Sequence, residues 1–313
     1  MTKMTVLVIG GGGFIGQWVV RALLARGTSV QVMGRTPPLP GMSREAEYIT
    51  AEYGDADVLD RVLANVDAVI HLAYATVPST SFSNPIHDLV ANVPSSVTLF
   101  EQAARAGIKR LVFVSSGGTV YGNVSALPID ETAPTNPISP YGITKLTIER
   151  YAQMHYLLDG LPVVIARPGN AYGLRCDGTP GPGFVTAAVR GVTLNRPIPV
   201  YGDGGTIRDY LYVTDVAEGI LACLYDGEPG HIYNIGAGEG LSNMDVIAAA
   251  ARCAGKLPEQ VVVQFQPDRG FDVRANVLNP SRLETVSHWR HGISIDQGIG
   301  ELHQAFLSGQ SKA

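Results

Sequence analysis

The sequence predicts an α/β protein: a Rossmann-type, doubly wound parallel sheet with a smaller C-terminal α/β lobe. Three observations carry that expectation. Short apolar, β-branched runs alternate with segments of helical length, the pattern of right-handed βαβ crossovers. The runs are almost continuously apolar rather than alternating, as strands covered on both faces require. The first run enters a turn with spaced glycines and then a helix, the context that gives a glycine pattern its meaning.

The elements follow in order. Residues 5–10 (TVLVIG) read as the first strand and 14–26 as the helix after the glycine turn. Strands are expected at 29–34 and 46–50, then a helix at 57–65, a strand at 67–73 and a long helix at 85–106. A strand at 110–116, a helix at 140–158 and a strand at 161–167 complete the regular part. From about residue 168 the texture changes: RPGNAYGLRCDGTPGPGF is dense in Gly and Pro and predicts a long loop. Helices at 183–194, 214–226, 242–254 and 296–308, with strands near 198–201, 207–213 and 231–235, are too short and broken for an independent domain. The chain is therefore divided into a dinucleotide-binding domain, 1–167, and an interleaved lobe, 168–313, over the carboxyl edge of the sheet, where such folds bind ligands.

With 313 residues, 45% of them hydrophobic and 16% charged, the chain can bury a large core. A formal net charge of −5 argues against a general nucleic-acid or membrane surface, and no apolar run is long enough to span a bilayer. Lys3 leads straight into a strand rather than a signal peptide. Cys176, Cys223 and Cys253 are far apart and fit neither a metal site nor a disulfide framework, so a reducing cytoplasm is the expected location and no metal is expected.

Gly10, Gly13 and Gly16, with Phe14 and Ile15 between the last two, lie between a strand and a helix. Glycine lets phosphate approach the backbone, and a helix N-terminus offers free N–H groups to a pyrophosphate. The second strand ends in Gly34 and Arg35, where an NAD site usually has an acidic residue for the ribose. A guanidinium there suits a 2′-phosphate, so this position leans toward NADP. Asp55 is placed either to meet the adenine amino group or to cap a helix. Tyr141 and Lys145, four residues apart, share one helix face. A nearby ammonium favours the phenolate, so such a tyrosine can act as a proton acceptor.

Taken together, GGGGFIG, DAVIHLA, SSGGTVYG, YGITK, RPGNAYG, YGDGGTIRDYLYVTDVAEG, YNIGAGEGLS and DRGFD resemble the extended short-chain dehydrogenase/reductases. Within them the chain is most similar to the nucleotide-sugar epimerase/dehydratase group, in texture the UDP-glucose 4-epimerases, over nearly its whole length. The resemblance implies an NAD-binding Rossmann domain followed by a nucleotide-sugar-binding lobe. It makes Tyr141 the catalytic acid/base and Lys145 the nicotinamide-ribose binder that tunes it. It places Leu72, Ala73 and Asn92 beside the cofactor, with His71 as a packed strand end. It puts Asn170, Arg208 and Arg269 on the nucleotide diphosphate and ribose, and Val200, Tyr201 and Gly202 around the base. Asn276 falls where a bulky tyrosine excludes N-acetyl sugars in relatives, implying a roomier pocket. The family's third catalytic residue, a serine or threonine, falls on Gly117, so the hydroxyl is expected from Thr119 first and Ser116 second, brought inward by unusual glycine backbone angles. Gly118 and Thr119 stand where dehydratases carry an acidic pair. That leaves a UDP-hexose or UDP-N-acetylhexosamine 4-epimerase as the expected activity, with an NADPH-dependent reductase of a 4-keto sugar as the alternative and a non-catalytic NAD(P) sensor as a third reading. The resemblance also implies a homodimer through the helices at 85–106 and 140–158.

Overall fold

The computed structural model describes residues 4–38, 43–270 and 272–310. The first half alternates strands and helices: β1 (Thr5–Ile9), α1 (Phe14–Ala25), β2 (Ser29–Gly34), β3 (Glu47–Thr50), α2 (Ala56–Leu63) and β4 (Ala68–His71). It continues with α3 (Pro78–Ser83), α4 (Pro85–Arg105), β5 (Arg110–Val114), α5 (Gly117–Val120), α6 (Pro140–Asp159) and β6 (Val163–Pro168). The second half holds β7 (Asn170–Tyr172), α7 (Phe184–Leu194), β8 (Ile198–Tyr201), β9 (Ile207–Arg208), β10 (Tyr210–Tyr212), α8 (Val213–Tyr225) and β11 (Ile232–Ile235). It ends with β12 (Leu241–Ser242), α9 (Asn243–Cys253), β13 (Val263–Gln266), β14 (Ala275–Asn276), α10 (Ser281–Ser287) and α11 (Ile295–Gln310).

The main sheet has seven strands in the order β11-β6-β5-β4-β1-β2-β3, every pairing parallel. The continuous apolar runs are explained by its two faces. Val6, Val8, Val30, Val32, Val112 and Val164 point into one core, shared with α1 and α8. Leu7, Ile9, Met33, Val69, Leu111 and Phe113 point into the other, shared with α2, α4 and α6. The chain leaves β1 toward β2 on one side and returns to β4 on the other. That reversal opens a crevice at the carboxyl ends of β1 and β4.

The boundary at residue 168 is not a spatial one. The predicted strand near 231–235 is β11, which pairs with β6 and completes the main sheet. Helix α8 buries Val216, Ile220 and Leu221 against that sheet. The remaining elements share a third core around Val185, Val189, Ile198, Val246 and Leu302, and Phe14, Ile15 and Trp18 of α1 pack against it. The expected strand at 207–213 is two strands, parted at Asp209. That buried carboxylate accepts the N–H groups of Ala237 (2.8 Å), Gly238 (3.2 Å) and Leu278 (3.1 Å). β9 then pairs with β12 and β14, and β10 with β7, inside the segment expected to be loop.

Helices α4 and α6 keep Ile86, Leu89, Val90, Leu157 and Leu158 exposed. Among the described residues no helix is long and apolar enough to cross a membrane, and no three His, Cys, Asp or Glu side chains are grouped to hold a metal ion.

Candidate active site

The glycine turn after β1 is built by close approaches. Gly10 has φ +83°, and a Cβ there would lie 2.6 Å from the Ala73 nitrogen. At Gly16 a Cβ would lie 2.3 Å from the Gly10 carbonyl oxygen, so the helix can pack on the strand only without a side chain. α1 starts after Gly13 with no side-chain cap and no acidic residue in its first turn, which leaves its N-terminal dipole to an anion. A cavity of about 560 Å³ runs from this turn along β2, lined by Gly10, Gly13, Gly34, Arg35, Glu52, Tyr53, Leu72 and Ala73.

Two expected cofactor residues do not line it. Asp55 is the N-cap of α2: its carboxylate accepts the N–H groups of Asp57 (3.1 Å) and Val58 (3.2 Å). Its neighbours Glu52 and Tyr53 reach the cavity instead. Asn92 is fully buried behind the wall, accepting from Ala75 N (2.8 Å) and donating to the Asp88 carbonyl (2.7 Å), so it braces the chain after β4. His71 is packed, with Nε2 and Ser96 Oγ 3.0 Å apart. Burial, with Lys145 nearby, lowers its pKa to about 3, so it is neutral.

A second cavity, about 480 Å³, shares Gly10, Gly13, Leu72 and Tyr74 with the first, so the two form one cleft. It is lined by Phe14, Ile15, Gly16, Ser115, Ser116, Gly118, Thr119, Tyr141, Lys145, Asn170 and Arg208, which brings together residues far apart in sequence. Ser139 caps α6 by accepting the Gly142 N–H (3.2 Å), and Pro140 opens the helix, which sets Tyr141 and Lys145 on its first turns. Lys145 is buried, and its Nζ donates to the Val114 carbonyl (2.8 Å) and lies 5.8 Å from the centre of the Tyr141 ring. Burial lowers its pKa to about 7, against the pull of Glu149 and Asp88. Burial, and then the Asp88 charge, raise the Tyr141 phenol above its usual range.

The segment after β5 is helical, not a glycine turn of unusual angles. Gly117 and Gly118 open α5, and neither has positive φ. The absent side chain at Gly117 has a packing cause: a Cβ would lie 2.5 Å from Leu278 Cδ1 and 2.9 Å from the Arg167 carbonyl oxygen. Around this turn two hydroxyls, Ser115 Oγ and Thr119 Oγ1, are buried without a protein partner while their residues line the cleft. Buried polar atoms in that state call for a ligand or water. Gly117→Ser is therefore expected to lower stability by about 1–3 kcal/mol without raising turnover; thermal melting and a turnover assay check both halves.

The lobe contributes Asn170 and Arg208 to the cleft. Arg208 donates to the Ile207 carbonyl (2.8 Å), and desolvation lowers its pKa, while Asp209 is engaged elsewhere. Arg269 and Tyr201 lie outside both cavities. The guanidinium stacks 3.7 Å from the Tyr201 ring centre and pairs with Asp272 at 3.2 Å. Asp272 and Val273 line the cleft in their place. Val200 is core, and Gly202 is a turn at φ +69°. Asn276 does not border the pocket: it is fully buried and donates Nδ2 to the Gly117 carbonyl (2.9 Å), so it supports α5 from behind. The expectation of a roomier sugar pocket loses its basis there. Tyr74 and Ser139 carry no motif of their own and stand only beside the DAVIHLA and YGITK segments, while Ser115 and Asp272 lie inside SSGGTVYG and DRGFD without an expected role in the site.

Residues 6–236 match the NAD dependent epimerase/dehydratase family. A UDP-glucose 4-epimerase of Mycolicibacterium smegmatis is 33% identical over 312 residues, spanning 97% of this chain and 98% of the relative. The crystal structure of a UDP-glucose 4-epimerase with UDP-glucose from Thermotoga maritima superposes with a TM-score of 0.90 at 30% identity, covering 98% of this chain and 100% of that one. That of Thermus thermophilus UDP-glucose 4-epimerase in complex with NAD gives 0.86 at 34% identity, covering 97% and 99%.

Proposed function

The chain belongs to the NAD-dependent epimerase/dehydratase family, and from that premise we propose that it is a UDP-sugar 4-epimerase, acting on a UDP-hexose or UDP-N-acetylhexosamine through a 4-keto sugar. The observation that carries this reading is the placement of Tyr141 and Lys145 in the same cleft as the Gly10–Gly16 turn. A nicotinamide dinucleotide fits this chain: glycines clear its path, α1 offers an uncapped N-terminus, and partnerless hydroxyls line the inner end. When bound, its ring supplies reversible hydride exchange with C4 of the sugar.

The chain's own residues do the rest. Tyr141 takes the proton of the C4 hydroxyl and returns it after the keto sugar has turned its other face. Lys145, as the ammonium, favours the phenolate and binds the nicotinamide ribose. Arg208 and Asn170 hold the diphosphate, with Arg208 strengthened by its partly dry setting. Thr119 supplies the hydroxyl that relays the proton, with Ser116 second. Thr119→Val is expected to lower kcat far more than it weakens UDP-sugar binding, read by steady-state kinetics beside calorimetry. Unchanged turnover in both Thr119→Val and Ser116→Ala would assign the relay elsewhere. The exposed apolar faces of α4 and α6 support a homodimer through these helices.

One observation favours a second reading. Arg35 follows β2 where an NAD site usually has an acidic residue, and it lines the adenosine end of the cleft together with Glu52; the guanidinium suits NADP and hence a 4-keto-sugar reductase. Incubation with UDP-glucose, UDP-N-acetylglucosamine and UDP-glucuronate, followed through the anomeric proton signals, separates the two. A second sugar formed without added cofactor supports the epimerase. Strict dependence on added NADPH, with its net oxidation, supports the reductase.

A further inference from the structure

Tyr74 follows β4 and stands where the two cavities meet. The Lys145 Nζ sits 4.1 Å from the centre of its ring, closer than to Phe113 (5.1 Å) or Tyr141 (5.8 Å). The rings of Tyr74 and Tyr141 meet edge-on, with centroids 4.8 Å apart. The Tyr74 hydroxyl reaches Asp88 Oδ2 at 3.5 Å and has Thr144 as a second partner. Asp88 is itself fully buried and also accepts from Thr76 Oγ1.

We infer that Tyr74 is a positioning residue for the proton-handling pair: its ring holds the Lys145 ammonium on its face and the Tyr141 ring at its edge. A buried ammonium needs compensation, and an aromatic face in a desolvated site supplies it without a counter-charge that would bind the proton too firmly. The groups facing Lys145 are Asp88 on α4, Glu149 on its own helix, Tyr74, Tyr141, and the neutral His71 on β4. Asp88 and Glu149 favour the cation, and burial opposes it. The π face tips this balance toward ammonium, the form that supports a Tyr141 phenolate. Without the face, the ammonium gives up its proton at lower pH.

The kinetic part of this inference rests on the epimerase reading; the titration does not. Lys145 is followed by ¹⁵N NMR of its Nζ in the cofactor-loaded protein without substrate, its signal assigned with Lys145→Met. Tyr74→Leu is expected to move the titration down by about one pH unit or more, and to move the alkaline limb of kcat the same way. Tyr74→Phe, which keeps the ring, is expected to titrate as wild type. Tyr74→Met replaces Tyr74→Leu should that variant fail to fold. A Lys145 titration unchanged in the non-aromatic variants would overturn the inference, as would an equal shift in Tyr74→Phe, which would make the hydroxyl the active part. Absence of turnover on every UDP-sugar would count against the epimerase reading and leave the titration to decide on Tyr74.

Discussion

Tyr141→Phe is expected to lower kcat by about 1,000-fold, within the range by which a positioned acid/base accelerates proton transfer, while leaving UDP-sugar affinity nearly unchanged. The substitution removes one oxygen and keeps the ring contact with Tyr74, so the helix start, capped by Ser139, has no reason to move. The phenol lies in a cleft that burial makes hostile to charge, and its pKa is raised there in the protein alone. On the proposed reading, turnover depends on what brings it down: the Lys145 ammonium and the positive ring of an oxidised nicotinamide. Steady-state kinetics beside calorimetric binding of the UDP-sugar checks the separation. A parallel loss of binding and turnover would assign Tyr141 a structural role.

The second large effect lies two helical turns further along α6. Glu149 → Ala is expected to cost about 3–5 kcal/mol of stability, the usual result of leaving one member of a buried ion pair alone. Glu149 and Arg167 are both buried, and the carboxylate accepts from Nε (2.9 Å) and Nη2 (2.5 Å). The pair ties α6 to the end of β6. It continues through the Tyr121 ring, 4.8 Å from the guanidinium, to the Asn234 side chain, which accepts from the Tyr121 hydroxyl at 2.7 Å. Lys145 lies four residues before Glu149, so loosening this joint also loosens the proton-handling pair. Chemical denaturation measures the loss. The double variant Glu149→Met/Arg167→Met is expected to recover much of it, because no lone charge remains buried. Equal losses in the single and double variants would show that the pair's packing, rather than its charge balance, carries the stability.

The regular part of the fold was legible because it rests on local patterns. Continuous apolar runs marked strands such as β1 and β5, whose alternate residues enter different cores. The glycine turn was legible for the same reason. What escaped depends on contacts distant in sequence. β11 reads as a lobe strand until its pairing with β6 is seen. α3 is Ser-rich and short, with little helical signal of its own. Asp55 and Asn92 are polar residues near the cofactor path whose bonds go to backbone groups, and only coordinates distinguish that from ligand binding. The glycines at 117 and 118 looked like a conformational device. They are a close approach, set by Leu278 from 161 positions later at the first and by Asn170 at the second. Asn276 is placed at the sugar pocket by resemblance, and resemblance in sequence says nothing of which way a buried side chain turns.

The central claim is that one sugar hydrogen leaves C4 and returns to it inside a single cleft, with Tyr141 handling only the proton. UDP-[4-²H]glucose, or the N-acetyl analogue if that is the sugar turned over, tests it directly. The purified protein, given no added cofactor, is predicted to form the C4 epimer with the deuterium still at C4 and none in the solvent. Deuterium lost to water, or an epimer that forms only when NADPH is consumed, would contradict it.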